Sequence, residues 1–337
     1  MDAFYFDIRK AFDSVSHVKL LQILRSIGIS GNLYNWFSSY LCGRSQYVFI
    51  NGEKSVPREV LSGVPQGSIL GPKLFLLYIT KIENVLNFLA SAFFADDGKL
   101  YGFFNNVFDP HIFQTDLNHF FSFMDERQLA FAAEKCFVLH YGRNNPRCKY
   151  FMKDNVMQSR DSHLDLGVMF DEKLTFSKHC RMLAHRGFAK VNAIFSNFEY
   201  KNTWFLLNLF KVFVRPSLEY ANEVWSPLFV RDIELIERVQ RMFTKRIPGF
   251  SHMAYDERFR ALNMKKLAYR RLEKDLIMVF KILNGLVDID CEAICDLYAV
   301  TRTRGHSFKL VVPLWRLNLR KNFFASRVVN PWNNLPN

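Results

Sequence analysis

Two adjacent carboxylates inside an otherwise apolar stretch constrain this chain more than any other feature. Leu89-Ala90-Ser91-Ala92-Phe93-Phe94 reads as a buried strand and Lys99-Leu100-Tyr101-Gly102-Phe103 as a second, with Ala95-Asp96-Asp97-Gly98 between them. Apolar runs separated by Asp and Gly predict a hairpin with the acids at its tip. Only Lys99 supplies a neighbouring cation in sequence, and carboxylates this close repel unless water, a proton or a divalent ion separates them. An ordinary Asp-Gly turn is the plain alternative. Chemistry at this hairpin therefore depends on a third acid arriving from elsewhere.

The first residues offer one. Phe4-Tyr5-Phe6-Asp7-Ile8 is a short apolar strand with an acid near its end, followed by Arg9-Lys10-Ala11-Phe12-Asp13. Between this strand and the hairpin lies Ser62-Gly63-Val64-Pro65-Gln66-Gly67-Ser68-Ile69-Leu70-Gly71-Pro72. Three glycines and two prolines leave little side-chain bulk, so a ligand backbone or base can approach closely. On adjacent strands, Asp7, Asp96 and Asp97 should converge into one cluster able to bridge two Mg²⁺ ions about 4 Å apart, the arrangement of in-line phosphoryl transfer.

The rest of the chain supports a two-part organisation. Ser16 stands as N-cap of an amphipathic helix closed by Gly28, and a second helix runs from Asn32 to Leu41. Asn51-Gly52 joins two strands in a hairpin. A helix from Pro110 to Glu126 precedes a strand over 131–139 and a further hairpin over 150–157. Beyond about residue 175 the pattern turns helical, including Asp232–Arg246 and Lys265–Lys281. The expected divisions are 1–142, a hairpin region 143–175, a helical region 176–285 and a basic tail 286–337. Residues 1–150 hold 15 basic against 13 acidic residues, whereas 151–337 hold 30 against 19. The final stretch, 301–337, has seven basic residues and no acid. Charge concentrated in one half is the footprint of a polyanion binder, and Arg302, Arg304, Lys309, Arg316, Arg320, Lys321 and Arg327 are candidate phosphate contacts. No apolar run reaches the ~18 residues of a membrane span, because Asn208 and Lys211 interrupt the best one. The six cysteines lack zinc spacing and read as reduced thiols.

In order and spacing these motifs strongly resemble the reverse transcriptase of non-LTR (LINE-type) retrotransposons. The family's first palm motif is matched by Phe6-Asp7-Ile8-Arg9-Lys10-Ala11-Phe12-Asp13, its second by residues 62–72 and its third by Phe94-Ala95-Asp96-Asp97. Lys135-Cys136 and Leu166-Gly167-Val168 are similar to later palm elements. Arg215-Pro216-Ser217-Leu218-Glu219-Tyr220-Ala221, Val224-Trp225, Ile236-Glu237-Arg238-Val239-Gln240-Arg241 and Trp332-Asn333-Asn334-Leu335-Pro336 are similar to jockey-like members. The resemblance implies an α+β fold, in which a polymerase palm (antiparallel sheet with packed helices) precedes an α-helical thumb. It implies RNA-directed DNA polymerase activity using two Mg²⁺ (or Mn²⁺), with RNA template, DNA primer and deoxynucleoside triphosphates as partners. Asp7 and Asp96 would hold both metals, aided by the Ile8 carbonyl, and Asp97 would complete the acidic cluster. Phe12 would exclude a ribose 2′-hydroxyl, while Gln66 and Gly67 would line the pocket for the incoming base pair. Lys135 would lie near the pyrophosphate as a general acid. No membrane association is expected, and the family's setting is a nuclear and cytoplasmic ribonucleoprotein.

Several positions depart from the family pattern. Arg9 replaces a small polar residue, Gly98 a Thr, and Ala132-Ala133-Glu134 a customary Asn-Pro-Ser. A core strand beginning at the first residues implies that fingers segments and an endonuclease domain once preceded it. On that expectation the fragment extends a primer weakly or not at all, and its first strand has an unpaired edge with Phe4 and Phe6 exposed. A catalytically dead nucleic-acid-binding remnant and an intron-maturase-type enzyme are the rival readings.

Overall fold

The computed structural model describes residues 1–104, 110–294, 297, 308–312, 314 and 318–336. They belong to two compact units, Met1–Ser162 and His163–Asn337. In the first unit the elements run β1 (Asp2–Asp7), α1 (His17–Ser26), α2 (Gly31–Leu41), β2 (Ser45–Gln46), β3 (Phe49–Ile50), β4 (Glu53–Lys54), β5 (Arg58–Glu59) and α3 (Leu70–Tyr78). There follow β6 (Ala90–Phe94), β7 (Asp97–Gly102), α4 (Pro110–Glu126), β8 (Phe137–His140), β9 (Phe151–Met152), β10 (Asn155–Val156) and β11 (Gln158–Arg160).

Five strands form the main sheet in the order β11-β8-β1-β7-β6. β1 is its centre, antiparallel to β7 on one side and to β8 on the other. The expected unpaired edge is therefore absent, because strands from about residues 100 and 140 return to flank β1. Phe4 and Phe6 are buried at 0% and 4% exposure rather than left in water. Their side chains share one face of β1 by the two-residue period of a strand. Against that face α4 brings Phe120 and Phe121, whose ring centroids lie 4.8 and 5.9 Å from Phe6, and Phe113, 6.4 Å from Phe4. Edge-to-face and tilted pairs of this kind give a phenylalanine-rich sequence a specific core. Asp2, fully buried, is satisfied within the unit by His140 Nδ1 at 2.7 Å, Tyr150 Oη at 2.7 Å and Asn145 Nδ2 at 2.8 Å.

Two local expectations change. Ser16 occupies the N-cap position of α1, but its side chain makes no capping bond. The strand expected over 131–139 begins only at Phe137, because a single 3₁₀ turn covers Ala133–Lys135. The Lys135 amide bonds back to the Ala132 carbonyl at 2.8 Å, which is incompatible with an extended chain there.

The second unit opens with the hairpin β12 (Ser162–Asp165) and β13 (Val168–Asp171) and is helical thereafter. Its helices are α5 (Ser177–Asn197), α6 (Thr203–Leu209), a π-helical turn over Phe210–Val214, α7 (Arg215–Glu219), α8 (Asn222–Trp225), α9 (Val230–Arg246), α10 (Tyr255–Leu262) and α11 (Leu267–Leu283). Four short helices complete it, α12 (Cys291–Ile294), α13 (Asn318–Asn322), α14 (Phe324–Arg327) and α15 (Val329–Asn333). The units divide ahead of residue 175 because Val168 of β13 packs into the helical core with Phe176, Leu183, Phe210 and Phe243. Among the described residues no helix is long and apolar enough to cross a membrane.

Candidate active site

The candidate acids lie at one end of the main sheet. Asp7 is the direct cross-strand partner of Asp97 in the β1–β7 register. The Asp7 carbonyl accepts from the Ala132 amide at 2.9 Å, so its backbone faces away from β7. Asp7 and Asp97 thus form a non-hydrogen-bonded pair, the kind whose Cα atoms approach to about 4.5 Å with side chains on one face. Both lie on the face opposite Phe4 and Phe6, where Ala3 and Tyr5 are buried further in, so it is their place at the end of the strands that leaves them outside the core. By the same alternation the Ile8 carbonyl points away from Phe131, its bridge partner, toward the hairpin side.

Asp96 sits in the two-residue turn that joins β6 to β7 beyond the Phe94–Asp97 pair. Its predecessor Ala95 adopts φ 54°, a conformation uncommon for a residue with a Cβ. This turn leaves Asp96 and Asp97 exposed at the tip. The convergence of all three acids into a metal-sized cluster does not hold. Among the described residues no group of three or more His, Cys, Asp or Glu closes around an ion position. Like charges separate when no cation joins them. The donor set still suits Mg²⁺, which takes hard oxygens, commonly from one or two carboxylates, and completes its octahedron with water and substrate phosphate.

Lys135 stands beside the acids rather than apart from them. Its Nζ lies 3.2 Å from Asp7 Oδ2 and 3.4 Å from Oδ1, with both side chains substantially in water. The 3₁₀ turn before β8 carries it there. An exposed pair of this kind contributes little stability, so it yields readily to a competing cation.

The glycine-rich segment packs on the residues that follow β1. The Gly63 amide donates to the Val15 carbonyl at 2.8 Å, and the Val64 amide to the Phe12 carbonyl at 2.9 Å. Gly63 has φ +93°, and a Cβ there would meet Asp13 Cα at 2.9 Å and Asp13 O at 3.0 Å. Close backbone approach is thus required at Gly63, where the partner is this chain itself. Gln66 donates from Nε2 to Asp13 Oδ1 at 2.8 Å, while Gly67, with φ +75°, has open space where its Cβ would be. Phe12 is half-buried against Phe75 at 5.1 Å between centroids. The motif sequences quoted Phe12 and Gln66 but gave no sign that Asp13, His17 and Arg44 hold the loop. His17 Nε2 lies 2.8 Å from the Gly63 carbonyl, and Arg44 Nη2 donates to the same oxygen at 3.1 Å.

Of the basic tail, Arg302, Arg304 and Arg316 lie outside the described residues. Arg320 and Lys321 are exposed on α13. Arg327 is not a free phosphate contact. Its guanidinium makes a two-point pair with Asp275 at 2.9 Å to each oxygen and donates to the carbonyls of Asn222 and Glu223. Burial against α11 therefore assigns Arg327 to the internal structure of the second unit.

A family profile described as reverse transcriptase (RNA-dependent DNA polymerase) matches residues 3–181. The RNA-directed DNA polymerase from mobile element jockey of Drosophila melanogaster is 25% identical over 259 residues, covering 73% of this chain and 28% of that protein. The probable RNA-directed DNA polymerase from transposon X-element of the same organism is 28% identical over 268 residues, covering 74% of this chain and 28% of that protein. This chain thus spans little more than a quarter of the length of those relatives. A telomerase from Candida albicans, solved with a fragment of telomeric RNA, aligns with a TM-score of 0.37 at 11% identity over 86% of this chain and 46% of that one, too loosely to carry an argument. The profile covers Asp7, the glycine-rich loop and the Asp96-Asp97 hairpin in one match, and the chain belongs to the reverse transcriptase family, its relatives being jockey-like non-LTR retrotransposon polymerases.

Proposed function

We propose that this chain supplies the polymerase centre of an RNA-directed DNA polymerase, joining a deoxynucleoside triphosphate to a primer 3′-hydroxyl opposite an RNA template. The observation that carries the reading is the Asp7–Asp97 register with Asp96 in the adjoining turn. Asp7 and Asp96, with the Ile8 carbonyl and Asp97 beside them, are the groups that would hold divalent cations. When bound, such cations lower the pKa of the primer hydroxyl and neutralise charge on the triphosphate. Lys135, whose Nζ lies beside Asp7, would act as the general acid toward the leaving pyrophosphate. Phe12, braced by Phe75, would be the side chain that rejects a sugar 2′-hydroxyl. Gln66, oriented by Asp13, and Gly67, with open space beside it, would line the pocket for the base pair. Arg320 and Lys321, with Arg302 and Arg304, serve as phosphate contacts for the template–primer backbone.

The test carries residues 1–337 in the corresponding segment of a jockey-type polymerase and measures Mg²⁺-dependent primer extension on RNA. Asp96→Asn should abolish extension and leave template–primer affinity within about twofold. Extension unaffected by Asp96→Asn, or by Asp7→Asn, would refute the assignment.

A further inference from the structure

The end of α5 and the helix that follows it turn large aromatic rings toward solvent. Tyr200 is 66% exposed and Trp204 73%, and Val212 and Phe213 lie exposed further along. These side chains are not needed by the core, which the same helix reaches through Leu206, Leu209, Phe210 and Val214. Phe210 and Val214, four residues apart across a π-helical turn, both point inward, and Lys211, Val212 and Phe213 between them remain outside.

Tyr200 is held by a neighbouring ring, and the backbone that carries Trp204 is fixed. Half-buried Phe205 packs against Phe198 at 5.4 Å and against Tyr200 at 5.5 Å. The Asn202 side chain caps α6 by accepting from the Trp204 amide at 2.9 Å, fixing where the indole emerges. Cations are interleaved with the rings. From Glu199 to Arg215 the sequence contains Lys201, Lys211 and Arg215 against one acid, Glu199 at its start. Neither Lys201 nor Lys211 has an acidic partner among the described residues. Lys190 adds a further ammonium by donating to the Phe213 carbonyl at 2.9 Å. At ~1.5 Å rise per residue, Lys211 lies about two turns, roughly 10 Å, beyond Trp204 on the same face.

Single exposed aromatics are ordinary on protein surfaces. Preorganised rings alternating with unpaired lysines are a different object, because they match unpaired bases and the phosphates between them. A duplex buries its base faces in its own stack and offers only phosphates to such a strip. An apolar protein partner would leave Lys201 and Lys211 without counter-charges. We propose that this aromatic–lysine strip on the second unit binds single-stranded nucleic acid, with bases stacking on Trp204 and Tyr200 and phosphates following Lys201 and Lys211. The inference rests on the polymerase reading only in naming the strand, which would be unpaired RNA.

The test uses the full chain, a fluorescein-labelled 12-nucleotide single-stranded RNA and a blunt RNA–DNA duplex of the same length, without nucleotide or divalent metal. Trp204→Ala should weaken single-strand binding about tenfold and leave duplex binding unchanged, and Trp204→Phe should retain most of the affinity. Lys211→Gln should reduce the slope of log affinity against log salt by about 0.7 on the single strand. Unchanged single-strand affinity in Trp204→Ala overturns the proposal, as does an equal loss on both ligands. Loss of self-association in Trp204→Ala with RNA affinity intact would assign the strip to a protein contact instead. A wild-type chain that binds duplex but no single strand removes the strip alone, whereas one that binds neither also counts against the polymerase reading.

Discussion

Replacing Gly63 by Ala tests whether the glycine-rich loop is held against the residues following β1 by close backbone contact. The added Cβ would lie 2.9 Å from Asp13 Cα, 3.0 Å from Asp13 O and 3.1 Å from Phe12 O. All three are backbone atoms, so no side chain can swing aside. The φ of +93° adds strain of about 1–2 kcal/mol for any residue with a Cβ. Forcing the extra carbon into an occupied space costs roughly another 1–3 kcal/mol. A total near 3 kcal/mol exceeds what the residue 63 and Val64 amide bonds return, at about 1 kcal/mol each, although His17, Arg44 and Ser62 also hold the loop. These two amides should therefore open locally, drawing Gln66 away from Asp13, while the sheet beneath survives. Amide exchange reads this directly, since the residue 63 and Val64 amides bond to Val15 and Phe12 carbonyls. Their protection should fall about a hundredfold, with β1 and β8 amides little changed. In the extension assay the KM for the nucleotide should rise more than kcat falls, because Gln66 loses its anchor on Asp13. Protection at both amides within threefold of wild type would show that the loop is not held by this contact.

Three further outcomes follow from other sites. Asp116, fully buried on α4, accepts from the Asn87, Phe88 and Leu89 amides at 2.7–2.9 Å and so anchors the entry to β6. Asp116→Ala should destabilise the first unit by about 3 kcal/mol in urea unfolding, and a shift under 1 kcal/mol would show the anchor to be dispensable. Burial first, and the Arg186 charge second, push the His179 imidazole down to about 4. Between that pH and the ordinary histidine range the unfolded chain binds a proton the folded chain refuses, so stability is lost as pH falls. The loss should reach about 2 kcal/mol by pH 5, checked by NMR titration of the ring, and an imidazole titrating near 6.5 would contradict it. Phe12→Val should admit ribonucleotides and lower discrimination against them at least tenfold in extension assays. Unchanged discrimination would remove Phe12 from the sugar pocket.

Much of the site was legible in the primary structure because its motifs are local. Apolar runs interrupted by Asp96-Asp97 force a hairpin tip, since no strand interior hides two adjacent carboxylates. The three-glycine, two-proline window marks a place where something approaches closely. Long-range pairing was not legible. Nothing near residue 1 states that β1 is flanked by strands from residues 97–102 and 137–140, so an edge expected from sequence order became the centre of the sheet. The approach at Gly63 likewise proved to be by Asp13, fifty residues earlier, rather than by a ligand. Gly98, a departure from the family's Thr, is explained only in three dimensions: a Cβ there would lie 2.4 Å from Phe93 Cε1, whose ring covers the strand across the hairpin. Arg327 reads in sequence as one of seven free cations, and only the packing of α14 against α11 turns it into the partner of Asp275. Local sequence fixes which groups must be buried, turned or left charged, because those costs arise within a few residues. Which partner each group meets depends on contacts closed across a hundred residues or more, and the tertiary fold alone decides them.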